Sequence, residues 1–179
     1  MKTIHIFVVI TCAIVLFSAC SDNKEEKNEN KAGVTCFSSD MENTGWINQT
    51  TLTRETAHSG KFSSRVDSVQ QYSFGFRDFF KNINDTLPEK VDVSFWILYP
   101  QKDIKSTMVI SIDSVEKNIF WQGTDLKDSV QVPNQWKEIK TTIELPENIM
   151  QTDRIAIYIW GTDKKSFYID DMKVTFGKK

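Results

Sequence analysis

Beyond position 33 the chain alternates between apolar and polar residues over short runs. Val91, Val93, Phe95 and Ile97 alternate with Asp92, Ser94, Trp96 and Leu98, which is the period of a strand with one buried face. Val34 to Phe37 reads as the first strand, and Phe62 to Val66 as another. Tyr72, Phe74 and Phe76 alternate with Ser73, Gly75 and Arg77. Further strands are expected over Met108 to Asp113, Lys117 to Gln122, Lys137 to Leu145 and Arg154 to Trp160. Breaks fall at Thr44-Gly45, Leu87-Pro88, Tyr99-Pro100, Pro133-Asn134, Leu145-Pro146 and Gly161-Thr162. Glu147 to Gln151 is long enough for a single helical turn. Short strands at regular spacing, without a helical stretch, predict an all-β sandwich or jelly roll.

The last strand departs from simple alternation. Phe167 and Ile169 share one phase, and Met172, Val174 and Phe176 resume it one residue out of step. Asp170 and Asp171 sit at the slip. A one-residue slip is what a β-bulge produces, and a bulge re-aims a side chain. Two carboxylates inside an apolar strand need neutralising partners, for which a hard cation would serve. The alternative is that both are solvated turn residues.

The first residues do not belong to this pattern. Lys2 is basic, Ile4 to Phe17 is apolar apart from His5 and Thr11, and Ser18-Ala19-Cys20 follows. This resembles a bacterial lipoprotein signal of the Bacteroidetes type. The resemblance implies cleavage before Cys20 and lipid on its thiol. Residues 1–19 are then the signal. Residues 20–33, beginning Cys20-Ser21-Asp22-Asn23-Lys24-Glu25-Glu26, form a polar tether resembling a surface-export signal. The implied location is the outer membrane, anchored by lipid and exposed at the cell surface. Residues 34–179 make one domain of a size that buries a real core. A net charge of −2 argues against nucleic acid as a partner. Cys36 would be the one cysteine left in the domain, so no internal disulfide is expected.

Four segments occur in a telling order: Asp40-Met41-Glu42-Asn43, Ala57-His58-Ser59-Gly60-Lys61-Phe62, Val93-Ser94-Phe95-Trp96 and Tyr168-Ile169-Asp170-Asp171-Met172. Together they resemble the galactose-binding-like jelly rolls typified by family 4/9-type carbohydrate-binding modules. Trp136-Lys137 resembles the opening of a late strand there. The resemblance implies a jelly-roll sandwich and a glycan ligand. It also implies one structural calcium held by Glu42, Asp171 and oxygens at Ser59 and Lys61. A calcium of this kind takes six to eight oxygens. His58, in the same turn, is expected to be structural, with no nucleophile pattern beside it.

Sugar rings stack on aromatic faces, so outward aromatics are the candidate ligand residues. With Val93, Phe95 and Ile97 inside, Trp96 faces outward; with Ile155, Ile157 and Ile159 inside, Tyr158 and Trp160 do too. These three are expected to line one concave face, joined by Arg77. Trp121 shares phase with Ile119 and reads as core, and Trp46 and Trp136 read as edge packing. Tyr72, Phe74 and Phe76 read as core, or as an exposed platform if their phase is reversed. Asp67-Ser68-Val69, Asp85-Thr86-Leu87, Asp113-Ser114-Val115 and Asp128-Ser129-Val130 each resemble an Asp-Ser/Thr-aliphatic O-glycosylation site. The competing explanation is that Asp and Ser favour turns. No compact carboxylate run of the kind glycanases use is present, so catalysis is not expected. A domain of the same fold that binds a protein partner in the cell envelope, with no sugar site, is the other function the sequence leaves open.

Overall fold

The computed structural model describes residues 28–31 and 33–178. Its centre is β6 (Lys90–Leu98), where Val91, Val93, Phe95 and Ile97 are at most 2% exposed and the intervening residues half-buried. β6 pairs on one side with β9 (Trp136–Glu144) and on the other with β11 (Phe167–Gly177), both antiparallel. The far edge of β11 is shared by two strands. β4 (Ser63–Val66) pairs with residues 167–169, and β2 (Val34–Ser39) pairs with residues 172–176. β3 (Leu52–Thr53) extends β4, and β1 (Asn28–Lys31) extends β2, giving a seven-stranded sheet.

The second sheet has four strands in the order β5 (Phe76–Phe79), β10 (Arg154–Gly161), β7 (Ser106–Asp113) and β8 (Asn118–Asp125), all antiparallel. Ile155, Ile157 and Ile159 of β10 face inward with Met108, Ile110 and Ile112 of β7. They meet Phe95, Phe167, Ile169, Val174 and Phe176 of the first sheet in one apolar core. Side chains of this size, fully buried, are each worth roughly 1.5–3 kcal/mol relative to exposure. A one-turn helix, α1 (Phe80–Ile83), follows β5 and buries Phe80 and Ile83 at one end of the sandwich. The fold is therefore the all-β jelly-roll sandwich expected.

Three details differ from the sequence reading. Residues 28–31, assigned to the tether, pair with β2, whose outer edge offers unpaired backbone groups. Residues 147–148 and 151–152 form turns without a helix, and the helical turns lie instead at Phe80–Ile83 and, as 3-10 turns, at Gln49–Thr51 and Lys127–Ser129. The run from Tyr72 to Phe76 is not one strand. Ser73 Oγ accepts from Ile159 N at 2.9 Å, where a regular ladder would offer a carbonyl. The chain therefore turns locally, so that Tyr72 faces outward at 47% exposure while Phe74 is buried.

Candidate functional site

Strand phase on the four-stranded sheet decides which side chains leave the core. On β10 the inward isoleucines put Arg154, Ala156, Tyr158 and Trp160 on the outer face. Cross-strand register then arranges that face in rows. Arg77, Ala156, Ser111 and Trp121 form one, and Tyr158, Val109 and Gly123 the next. Tyr72 bridges to Trp160 and completes the aromatic group. Its ring lies 6.2 Å from that of Trp160 at 26° and meets that of Tyr158 edge-on at 5.5 Å. A pocket of about 170 Å³ opens among Ile47, Asn48, Tyr72, Arg77 and Tyr158. Val109, between Tyr158 and Gly123 in that row, is fully buried although it faces outward. Burial raises the Tyr158 hydroxyl pKa, so it is a neutral donor at neutral pH. Trp160 Nε1 is shielded from water without a hydrogen-bond partner, so packing alone holds that indole.

Trp121 corrects the sequence reading: it is 54% exposed rather than core. The pairing of β7 with β8 slips between Ile112–Phe120 and Asp113–Asn118, leaving Ile119 as an extra residue. The bulge reverses the phase, so Phe120 packs against the core and Trp121 stands outside.

Trp96 is also corrected. It faces outward as expected, but from β6 of the seven-stranded sheet, on the side of the sandwich away from Tyr158 and Trp160. The His58 ring stacks on it at 3.8 Å and 13°, and also meets Trp136 edge-on at 5.8 Å. The common face of Trp96, Tyr158 and Trp160 is therefore not formed, because alternation gives phase but not sheet. A groove of about 470 Å³ crosses the outside of the seven-stranded sheet among Asp92, Ser94, Lys140, Thr142, Lys173 and Thr175, with no aromatic in its lining. Trp46 packs at an edge as predicted, stacked on Phe74 and edge-on to Phe76.

The aspartate pair occupies the point where β11 passes from β4 to β2, and the β6 register slips there between Asp170 and Lys173. Asp171 adopts φ 47°, an uncommon conformation for a side-chain-bearing residue. The bulge read from the sequence is thus present. Asp170 is buried, with Oδ2 accepting from His58 N at 2.7 Å and Ser59 N at 3.2 Å, and Oδ1 accepting from Asp171 N at 2.8 Å. Burial pushes its carboxyl up to about 6, against the downward pull of these N–H donors. Asp171 contacts His58 Nδ1 at 2.5 Å and accepts from Ser59 Oγ at 2.6 Å. Glu42 Oε1 accepts from Lys61 N at 2.6 Å and Phe62 N at 2.8 Å.

Glu42, Ser59, Lys61 and Asp171 therefore gather around one turn, which ties the early loop to the closing strand. The donor set fits a cation in part. Hard oxygens are close together, yet these carboxylate oxygens also accept N–H or O–H bonds. Among the described residues, no three carboxylate, imidazole or thiol side chains form a metal-holding cluster. Ser68, Thr86 and Ser129 are exposed, and Ser114 is half-buried with its hydroxyl donating to Lys117 O. Cys20 and the signal lie outside the described residues.

The two-sheet β-sandwich is similar to that of several solved structures. No protein-family model matches the sequence, and no curated protein matches it. Among solved structures, the chain is similar to the CBM22-2 xylan-binding domain of Paenibacillus barcinonensis Xyn10C. Identity is 19% and the TM-score 0.55, over 78% of this chain and 98% of that domain. It is similar to the tandem CBM22-1-CBM22-2 domain of the same protein, at 19% identity and TM-score 0.54, over 77% of this chain and 49% of the tandem. A Clostridium thermocellum CBM22-1-GH10 xylanase structure, complexed with xylohexaose, matches at 17% identity and TM-score 0.50, over 70% of this chain and 24% of that one.

Proposed function

We propose that this protein is a non-catalytic carbohydrate-binding domain that holds a polysaccharide on the outer face of its four-stranded sheet. The observation that carries the reading is the group of Tyr72, Tyr158, Trp160 and Trp121 on one paired sheet face, with Tyr72 and Trp121 about half exposed. Aromatic faces accept the C–H groups of sugar rings, and the Tyr158 hydroxyl, Asn48 and Arg77 supply polar contacts beside them. Xylan, named for the similar solved domains, is the first polymer to offer.

The test is affinity electrophoresis of the purified protein through gels containing xylan and a panel of other polysaccharides. Retardation is expected for at least one polymer, and Trp121→Ala and Tyr158→Ala should abolish it. If no polymer retards the protein, or if both variants migrate like the parent, the sugar reading falls. A protein-interaction domain of the cell envelope then takes its place.

The calcium implied by the resemblance is proposed at Glu42 and Asp171 with the Ser59 and Lys61 oxygens, where it would brace the turn against β11. Chelator should then lower the melting temperature, and Glu42→Gln should remove the calcium dependence. A melting temperature indifferent to chelator rules the ion out. Surface anchoring through lipid on Cys20 is proposed from the sequence alone. Labelled palmitate should enter the parent and not Cys20→Ser. Glycosylation at Ser68, Thr86, Ser114 or Ser129 is a further proposal, checked by intact mass against the unmodified chain.

A further inference from the structure

We infer that the ligand of this face is an acidic polysaccharide, and that Arg77 and Arg154 read the carboxylate of a uronic acid residue. The inference rests on the carbohydrate-binding reading and goes beyond it to the class of sugar. Arg77 on β5 stands opposite Ala156 of β10, and Arg154 lies two residues along β10 on the same outer face. The two arginines are thus diagonal neighbours around one small side chain. Among the described residues neither guanidinium has a hydrogen bond or an ion pair. The one carboxylate in register with Arg154 is Asp113, which accepts from Asn118 Nδ2 at 3.0 Å and forms no ion pair with it. Arg77 also lines the pocket that holds Tyr72 and Tyr158, so a guanidinium stands at the rim of the aromatic group.

Two unpaired guanidinium groups on one sheet face repel each other, and an arriving anion relieves that. The planar fork of arginine matches a carboxylate through two parallel N–H···O bonds, and such charge-assisted bonds are the strong ones. A neutral sugar would leave both forks with hydroxyl partners only. The chain as a whole is weakly acidic, so attraction of an acidic polymer has to come from a local feature such as this one.

The experiment compares glucuronoxylan with the same polymer after chemical reduction of its carboxyl groups to alcohols, by isothermal titration calorimetry with the full chain. The acidic polymer should bind about tenfold more tightly, and the advantage should shrink as salt rises. Arg154→Gln should lower binding to the acidic polymer while leaving the reduced polymer unchanged, and Arg77→Gln, which also lines the pocket, should weaken both but the acidic polymer more. Together they should erase the preference. Equal affinity for the two polymers overturns the inference and leaves the sugar reading standing. A preference that survives the double variant also overturns it. Tighter binding to a sulfated polymer than to the uronate overturns the carboxylate assignment. Failure to bind any polymer overturns both the inference and the reading beneath it.

Discussion

Gly75 and Gly123 lie on either side of the aromatic face, and replacing each with alanine should have opposite consequences. A Cβ at Gly75 would lie 2.4 Å from the Ile157 carbonyl oxygen and 2.9 Å from Tyr158 Cβ. The nearest atom is backbone in the middle of β10, so the strands must separate by about 1 Å to restore a normal carbon–oxygen contact near 3.3 Å. Overpacking of this kind costs about 1–3 kcal/mol. The reduced freedom of the unfolded chain returns about 0.4–1 kcal/mol. Gly75→Ala should therefore lose about 1–2 kcal/mol and melt several degrees lower. It should also displace Tyr158 and weaken glycan binding. A Cβ at Gly123 would lie 2.6 Å from Trp121 Cη2 and 2.8 Å from Thr107 Cγ2. Both are side-chain ends, and an indole that is half exposed has room to swing. Gly123→Ala should keep its unfolding free energy within about 1 kcal/mol of the parent, because the entropic gain offsets the lost packing. The lifted Trp121 should give red-shifted fluorescence and weaker binding. Differential scanning calorimetry and tryptophan emission check both variants. Equal loss of stability in the two, or a Gly75→Ala protein as stable as the parent, refutes the reasoning.

Two further outcomes follow from the same contacts. Trp160→Phe leaves no hydrogen bond broken, since Nε1 has no partner, and should bind glycan nearly as the parent does. Trp160→Ala should lose at least tenfold in affinity by the gel assay, and equal binding by both variants would rule Trp160 out of the platform. Asp170 carries a pH signature in the presence of chelator. Its carboxyl is pushed up to about 6 in the folded protein, so its contribution to stability is full below about pH 4 and lost as pH rises through 6. Two pKa units correspond to about 3 kcal/mol. Asp170→Asn cannot accept all three N–H bonds, so it should melt lower than the parent at pH 4. The gap should narrow towards pH 7, and a gap that widens instead contradicts the assignment.

Much of this molecule is legible in the chain, for a local reason. The period of two along Val91–Ile97 and Ile155–Ile159 states which side chains are buried, because a strand has only two faces. The slip at Asp170-Asp171 reveals the bulge for the same reason, since a phase change needs no partner strand to be seen. Alternation does not say which sheet a strand joins. Trp96 and Trp160 carry the same outward signal, yet pairing with β11 places one on the seven-stranded sheet and pairing with β7 places the other on the four-stranded sheet. Trp121 depended on a bulge defined by register against β7, and Tyr72 on a serine hydroxyl standing in for a ladder carbonyl. The sequence determined faces and turns, which are set by neighbours along the chain. The tertiary structure alone decided which aromatics share a surface, because that depends on contacts between residues far apart in sequence.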